Sequence, residues 1–177
     1  DAIVNCQVNA FSDINIFGKT STIVGGRLKA NRTIKTRKIG SEVGVTTELV
    51  VGIEPECNVT YGKMMGELHE LEQEIEKIEK TLELINQKPE KDEKLVMQLV
   101  RTKIERSAEV YRLREIVTEM NRRIEIGKYA EVIAEDTVYP GVVITIDGLH
   151  THVDDEFKDI VFLRKGDKIL TKKYQPE

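Results

Sequence analysis

The apolar positions of this chain follow two periods. From Gly66 to Ile124 they recur in alternating steps of three and four, and on either side they alternate with polar residues in steps of two. In the first helical arm Leu68, Leu71, Ile75, Ile78, Leu82 and Ile85 form the narrow apolar seam of a coiled coil. Heptads this regular require a partner helix. A second arm supplies one, with Val96 and Leu99 near its start and then Val110, Leu113, Val117, Met120 and Ile124. The same register places Lys103 and Arg106 mid-arm, while Val100, Ile104, Ala108 and Tyr111 form a neighbouring stripe. The expectation is a stutter at which the seam shifts face.

Asn86-Gln87-Lys88-Pro89-Glu90-Lys91 provides the reversal, because the residue before a proline is pushed out of the α region and helices usually end there. Charge supports pairing of the two arms. Residues 64–86 carry seven acidic side chains against two lysines, whereas residues 101–125 carry seven basic against five acidic. Arms of about 25 to 35 residues, at about 1.5 Å each, predict a projection on the order of 40 to 50 Å.

The first 53 residues contain a repeat. Gln7 to Ile16 set beneath Arg27 to Thr36 aligns Val8 with Leu28, Ala10 with Ala30 and Ile14 with Ile34, and a looser third unit runs through Val43, Val45, Leu49 and Val51. Alternation in steps of two says strand, and Gly18, Gly25, Gly26, Gly40, Gly44 and Gly52 mark turns. Units of about 20 residues that are mostly strand suggest a β-solenoid, with Ala10 and Ala30 at a tight corner; a β-sandwich is the other reading. Ile53-Glu54-Pro55-Glu56 marks the change from strand to helix, since Pro suits a first helical turn and acidic residues there complement the dipole. Gly62 and Gly66 weaken that helix by up to about 1 kcal/mol each relative to Ala.

Beyond Gly127 strands return. Val132 and Ala134, then Val142, Ile144 and Ile146, alternate with polar residues, and Asp147-Gly148 is a turn. A hairpin joins residues 160–163 to 168–170 across Arg164-Lys165-Gly166-Asp167, and Tyr139-Pro140-Gly141 fixes another turn. These strands are expected to continue the solenoid and cap it, with Phe157 and Phe162 filling its open end.

Composition narrows the class without naming a chemistry. With 40% apolar and 33% charged residues, and a net charge of −4, nothing global points to nucleic acid or to an acidic membrane surface, and no apolar run approaches the roughly 20 residues that membrane insertion of a helix needs. Cys6 and Cys57 are too few for a disulfide scaffold, so a reduced, cytoplasmic setting is expected. Asp1-Ala2-Ile3-Val4 reads as mid-strand sequence, which suggests a fragment of a longer protein.

Ile23-Val24-Gly25-Gly26 leading to Ala30, Ile39-Gly40-Ser41, Thr46 or Thr47, Val51-Gly52-Ile53-Glu54-Pro55, the charged hairpin, and Val138-Tyr139-Pro140-Gly141-Val142 follow one another in an order that resembles the bacterial flagellar assembly protein A (FapA) family. The likeness covers nearly the whole chain and the C-terminal half or so of a typical member. It implies a cytoplasmic protein with an N-terminal domain and a β-helical region interrupted by a coiled coil. It further implies the role of one characterised branch, which takes part in flagellar assembly and binds the glucose-specific IIA component of the sugar phosphotransferase system. The family brings no agreed catalytic motif, so its glycines and proline carry over as architecture.

The residues themselves carry little catalysis. Asp13 stands opposite Thr33 in the repeat, without the second carboxylate a glycan-acting solenoid needs. Neither Cys has a His nearby, and there is no Gly-x-Ser-x-Gly. His150 and His152 share a strand face near Asp147, Asp154 and Asp155, but two imidazoles without a third ligand read as a polar strand end. Arg27, Lys29, Arg32, Lys35, Arg37 and Lys38 put six positive charges in twelve residues, with no aromatic interleaved for base stacking, which favours a solvated face or a dock for an acidic protein.

The expected fold is a mixed β plus α chain: a single-stranded β-solenoid (β-helix-like) domain interrupted by a long antiparallel α-helical coiled-coil hairpin. Its parts are β-solenoid coils at 1–55, the hairpin at 56–127 and completing strands at 128–177. The expected function is a non-enzymatic cytoplasmic scaffold without cofactor, catalytic or metal residues, linked by resemblance to flagellar assembly or polar organisation. It would dock a protein through the stripe at Val100, Ile104 and Tyr111 or through the basic face at Arg27, Lys29, Arg32, Lys35 and Arg37. The alternatives are a homo-oligomer in which the solenoid self-associates into a structural polymer, and a glycan-acting β-helix enzyme.

Overall fold

The computed structural model describes residues 1–89 and 92–176. They form two compact units, one made of Asp1–Pro55 with the chain from Arg122 onward, the other of Glu56–Asn121.

The first unit is built on two parallel ladders. Strands β1 (Ala2–Ala10), β3 (Thr22–Ala30), β5 (Thr47–Val51) and, later in the chain, β7 (Val142–Ile146) stack in that order, while β2 (Ile14–Asn15), β4 (Thr33–Ile39) and β6 (Glu131–Val138) stack as a second ladder. Register pairs Val8 with Leu28, Ala10 with Ala30 and Ile14 with Ile34, the residues that the internal repeat aligns. Period two then places like residues in columns: Val8, Leu28, Leu49 and Ile144 in one, Ile14, Ile34 and Val132 in another. Leu28, Ile34, Leu49, Val132 and Ile144 are fully buried in the core between the ladders, each worth about 1.5–3 kcal/mol of burial.

Helix α1 (Pro55–Asn86) and helix α2 (Glu93–Gly127) enter at one corner of this stack. In the preceding turn of the chain β3 reaches β4 through Asn31-Arg32 alone. One layer on, Val51 is level with Ala30 and Glu131 with Thr33, and the whole helical segment lies between them. The ladder closes on both sides of the insertion: Gly52 N–H donates to Ala30 O and Glu131 N–H to Arg32 O.

The closing strands depart from the expectation. β8 (Leu149–His152), β9 (Phe157–Lys165) and β10 (Lys168–Lys173) run antiparallel rather than adding coils, β8 on β7, β9 on β6 and β10 on β9. Two-residue turns cause this for β8 and β10. Asp147 and Gly148 both have positive φ, which matches the twist of a hairpin, and Gly166-Asp167 makes the second turn, so Arg164 and Lys165 belong to the strand. Phe162 is buried in the core, but Phe157 sits at the rim, exposed, with its ring edge-on to Phe162 at 6.2 Å, so only one of the two fills the interior. Val43 is also corrected: it lies in an exposed loop ahead of β5 rather than in a strand.

In the second unit α1 runs through Gly62 and Gly66 without a break. The inward positions of α1 include Tyr61, Met64, Leu68, Leu71, Ile75, Ile78, Leu82 and Ile85. Those of α2 are Val96, Leu99, Lys103, Arg106, Val110, Leu113, Val117 and Met120. Leu68, Leu71 and Val110 form the small buried core, flanked by Ile75 and Leu113. The seam of α2 therefore keeps its register instead of shifting face. Lys103 and Arg106 occupy two of its positions and reach across to Glu79 (2.7 Å) and Glu74 (3.1 Å), with Arg114 on Glu72 further along. These pairs join early residues of α2 to late residues of α1, which makes the helices antiparallel. Of the expected reversal, Glu90 and Lys91 lie outside the described residues.

Candidate functional site

Because Val110 and Leu113 pack on α1 and Lys103 and Arg106 reach across to it, the neighbouring stripe faces away. Met97, Ile104 and Tyr111 are 72%, 64% and 66% exposed, and Val100 and Ala108 lie between them on the same face. Val96, Met97, Val100 and Ile104 line a shallow apolar groove bordered by Arg101 and Glu105, which pair with each other at 3.0 Å. Soluble surfaces tolerate single exposed apolar residues, but a continuous stripe rimmed by charge is the usual form of a protein-docking face.

The basic run behaves otherwise. Parallel stacking sets a carboxylate from the next layer beside nearly every cation: Arg27 on Glu48 (3.5 Å), Lys29 on Glu54 (2.6 Å), Arg32 on Asp13, Lys35 on Glu135 (2.9 Å) and Arg37 on Asp136 (3.4 Å). Arg32 grips Asp13 with two hydrogen bonds, 2.8 Å from Nε and 2.5 Å from Nη2. That grip, more than the Ser12 hydroxyl, holds the Asp13 carboxyl below its ordinary range against the opposing effect of burial. Lys29 does the same for Glu54, and Lys35 for Glu135. The five cations expected to form a free docking patch at Arg27, Lys29, Arg32, Lys35 and Arg37 are thus neutralised within the fold.

One grouping escaped the sequence. Tyr174 Oη accepts from Lys35 Nζ (3.0 Å) and donates to Glu135 (3.0 Å), and the Lys35 ammonium lies 5.1 Å from the Tyr174 ring centre. Its hydrogen bond to Tyr174, ahead of that to Glu135, raises the affinity of Lys35 for its proton. Lys35 and Tyr174 border a cleft of about 530 Å³ with Glu131, Ile133, Lys172 and Lys173. Their separation along the chain, from 35 to 174, is why no motif announced them.

A family model described as "Flagellar Assembly Protein A beta solenoid domain" matches residues 1–169. The chain belongs to the FapA family. No curated protein and no solved structure matches it. In this FapA domain the motifs behind the resemblance sit at layer contacts. Gly26 has φ +78° and lies so close to Cys6 of the layer below that an added Cβ would come within 2.1 Å of its carbonyl oxygen. Between Thr46 and Thr47 the structure selects Thr47, whose buried hydroxyl accepts from Gly25 N–H at 2.8 Å and donates to Val45 O. Pro140-Gly141 makes a tight turn, with Gly141 at φ +88°.

The remaining candidates stay apart. His150 and His152 are exposed, with rings edge to face at 6.2 Å, and among the described residues no three His, Cys, Asp or Glu side chains come together as a metal would need. Asp13 is bound to Arg32, and the Asp147 carboxylate is turned to its own corner, where it accepts from Ile53 N–H at 2.9 Å. Among the described residues no helix is long and apolar enough to cross a membrane.

Proposed function

We propose that this FapA domain is a non-enzymatic scaffold in flagellar assembly or polar organisation. In this reading a single-stranded β-solenoid is interrupted by an antiparallel coiled-coil hairpin, and the hairpin docks a protein partner. The observation that carries it is the apolar stripe at Val100, Ile104 and Tyr111, exposed on a helix whose opposite face is already engaged. The sheet face offers no equivalent, since its cations are matched by carboxylates at 2.5 to 3.5 Å. By family, one partner to try is the glucose-specific IIA component of the phosphotransferase system.

The test is a chain in which Gly52 is joined directly to Ala130, removing the hairpin. Cells carrying it in place of the parent are expected to lose normal flagellation while the protein stays folded, and the triple variant Val100→Ser, Ile104→Ser, Tyr111→Ser is expected to reproduce the defect. Wild-type flagellation with the hairpin removed would refute the reading.

A further inference from the structure

The matching of cations by carboxylates seen along β3 and β4 stops at β9 and β10. Arg164, Lys165, Lys168, Lys172 and Lys173 face only two carboxylates nearby, Asp167 in their own turn and Glu131 on β6. Arg164 donates to the backbone carbonyls of Gly166 and Asp147, each at 2.7 Å. Lys172 reaches Glu131 only at 3.7 Å, and among the described residues no carboxylate pairs with Lys165, Lys168 or Lys173. Register sets Lys165 directly opposite Lys168, and like charges so placed repel. An anion from outside relieves that repulsion. Without one, these lysines do no more than keep the last strand of the sheet from pairing with other chains.

The apolar residues beside them select the kind of anion. Ile160, Phe162 and Ile169 pack into the core, so alternation puts Val161, Leu163 and Lys165 of β9 and Lys168, Leu170 and Lys172 of β10 on the outer face. Pairing arranges these six in three rows: Lys165 with Lys168, Leu163 with Leu170, and Val161 with Lys172. The third row continues through Ile133 to Lys35 and floors the cleft of about 530 Å³. Leu170, in the middle row, is 43% exposed. An apolar row thus lies between two cationic ones, each about 7 Å away.

We propose that the outer face of β9 and β10 binds an extended acidic peptide with two carboxylate residues four positions apart and an apolar residue midway. One carboxylate meets Lys165 and Lys168, the apolar side chain covers Leu163 and Leu170, and the other carboxylate meets Lys172. In an extended chain, side chains two apart share a face at about 7 Å, which is the spacing of the three rows. A nucleic acid strand would bring charge to the middle row, where the two leucines offer no cation. This site is separate from the α2 stripe and does not depend on it.

The test is a titration of the full chain with the peptide Ser-Glu-Ser-Leu-Ser-Glu-Ser to millimolar concentration, followed at the backbone amides by nuclear magnetic resonance. Saturable shifts confined to residues 161–173 and their neighbours on β6 are expected. Replacing the central Leu of the peptide by Ser, or Lys165→Glu with Lys168→Glu in the protein, is expected to weaken binding by about tenfold each. The peptide Ser-Lys-Ser-Leu-Ser-Glu-Ser is expected to bind that double variant more tightly than it binds the parent, because its lysine then meets the two introduced carboxylates. This gain shows that the variant is folded and that the site is intact. The absence of saturable shifts, binding indifferent to the central Leu or to the double variant, or no gain with the lysine peptide would overturn the proposal. So would an oligothymidylate of the same length that shifts the same amides at lower concentration.

Discussion

Removing residues 53–129 by joining Gly52 to Ala130 is expected to leave the β unit folded, at nearly unchanged stability. Val51 is level with Ala30 and Glu131 with Thr33, so Gly52-Ala130 would become a two-residue corner stacked on Asn31-Arg32. The ends already meet, because a Cβ built on Gly52 would lie 3.1 Å from the Cβ of Ala130, within reach of one peptide bond. Asp147, which now accepts from Ile53 N–H, would accept from Ala130 N–H instead. The cost is the buried side chain of Ile53, about 1.5–3 kcal/mol. Against it, a closure of about eighty residues shrinks to two, which at about 0.6 kcal/mol per doubling offsets up to about 3 kcal/mol. The folded hairpin holds its own ends together, so the real gain is smaller. A net change between about zero and a loss of about 3 kcal/mol follows. Native-state hydrogen exchange of the β3, β4 and β5 amides, read in both chains, compares the same unit directly. A loss beyond about 4 kcal/mol, or amides without protection, would show that the hairpin is part of the core and that the ladder does not close without it.

Three further outcomes are expected. Gly26→Ala should cost well over 2 kcal/mol in urea unfolding, since its Cβ meets the Cys6 backbone at φ +78°, whereas Gly44→Ala, in open space at φ +70°, should cost only the left-handed penalty of about 1–2 kcal/mol. Lys103→Leu with Arg106→Leu should stabilise the helical unit by about 1–3 kcal/mol at 222 nm, because two half-exposed ion pairs worth about 0–1 kcal/mol each are replaced by apolar seam residues. Asp13→Asn should flatten the acid limb of stability. The Asp13 carboxyl is depressed in the folded chain, so its contribution is complete above the ordinary value of 3.8 and is lost as pH falls through the lower folded value. Urea midpoints measured downward from about pH 5 in both proteins check this.

Much of the fold was legible because the signals are local. Heptads in Leu68 to Ile85 demand a helix with a partner, and alternation with a 20-residue offset puts Leu28 over Val8 and Ile34 over Ile14 in the register observed. What misled was reading polarity as exposure. Lys103 and Arg106 looked like an interruption of the seam, but long side chains can hold a seam position while their charged ends reach Glu79 and Glu74 at its edge. The basic run looked unpaired for the related reason that a charge count along the chain omits what stacks above it. Asp13, Glu48 and Glu54 belong to other layers, and Glu135 and Asp136 lie beyond the inserted hairpin.

By itself, then, the sequence determined the two periods, the place where strand gives way to helix and the face of α2 left without a neighbour in the chain, because each follows from side-chain spacing along one element. Only the tertiary structure decided that the hairpin enters at a corner whose ladder is already closed, that the last strands turn antiparallel, and that the basic face is matched by carboxylates. Those outcomes depend on which residues parallel stacking brings within a few ångströms across a hundred residues of chain, and spacing along one element holds no record of that.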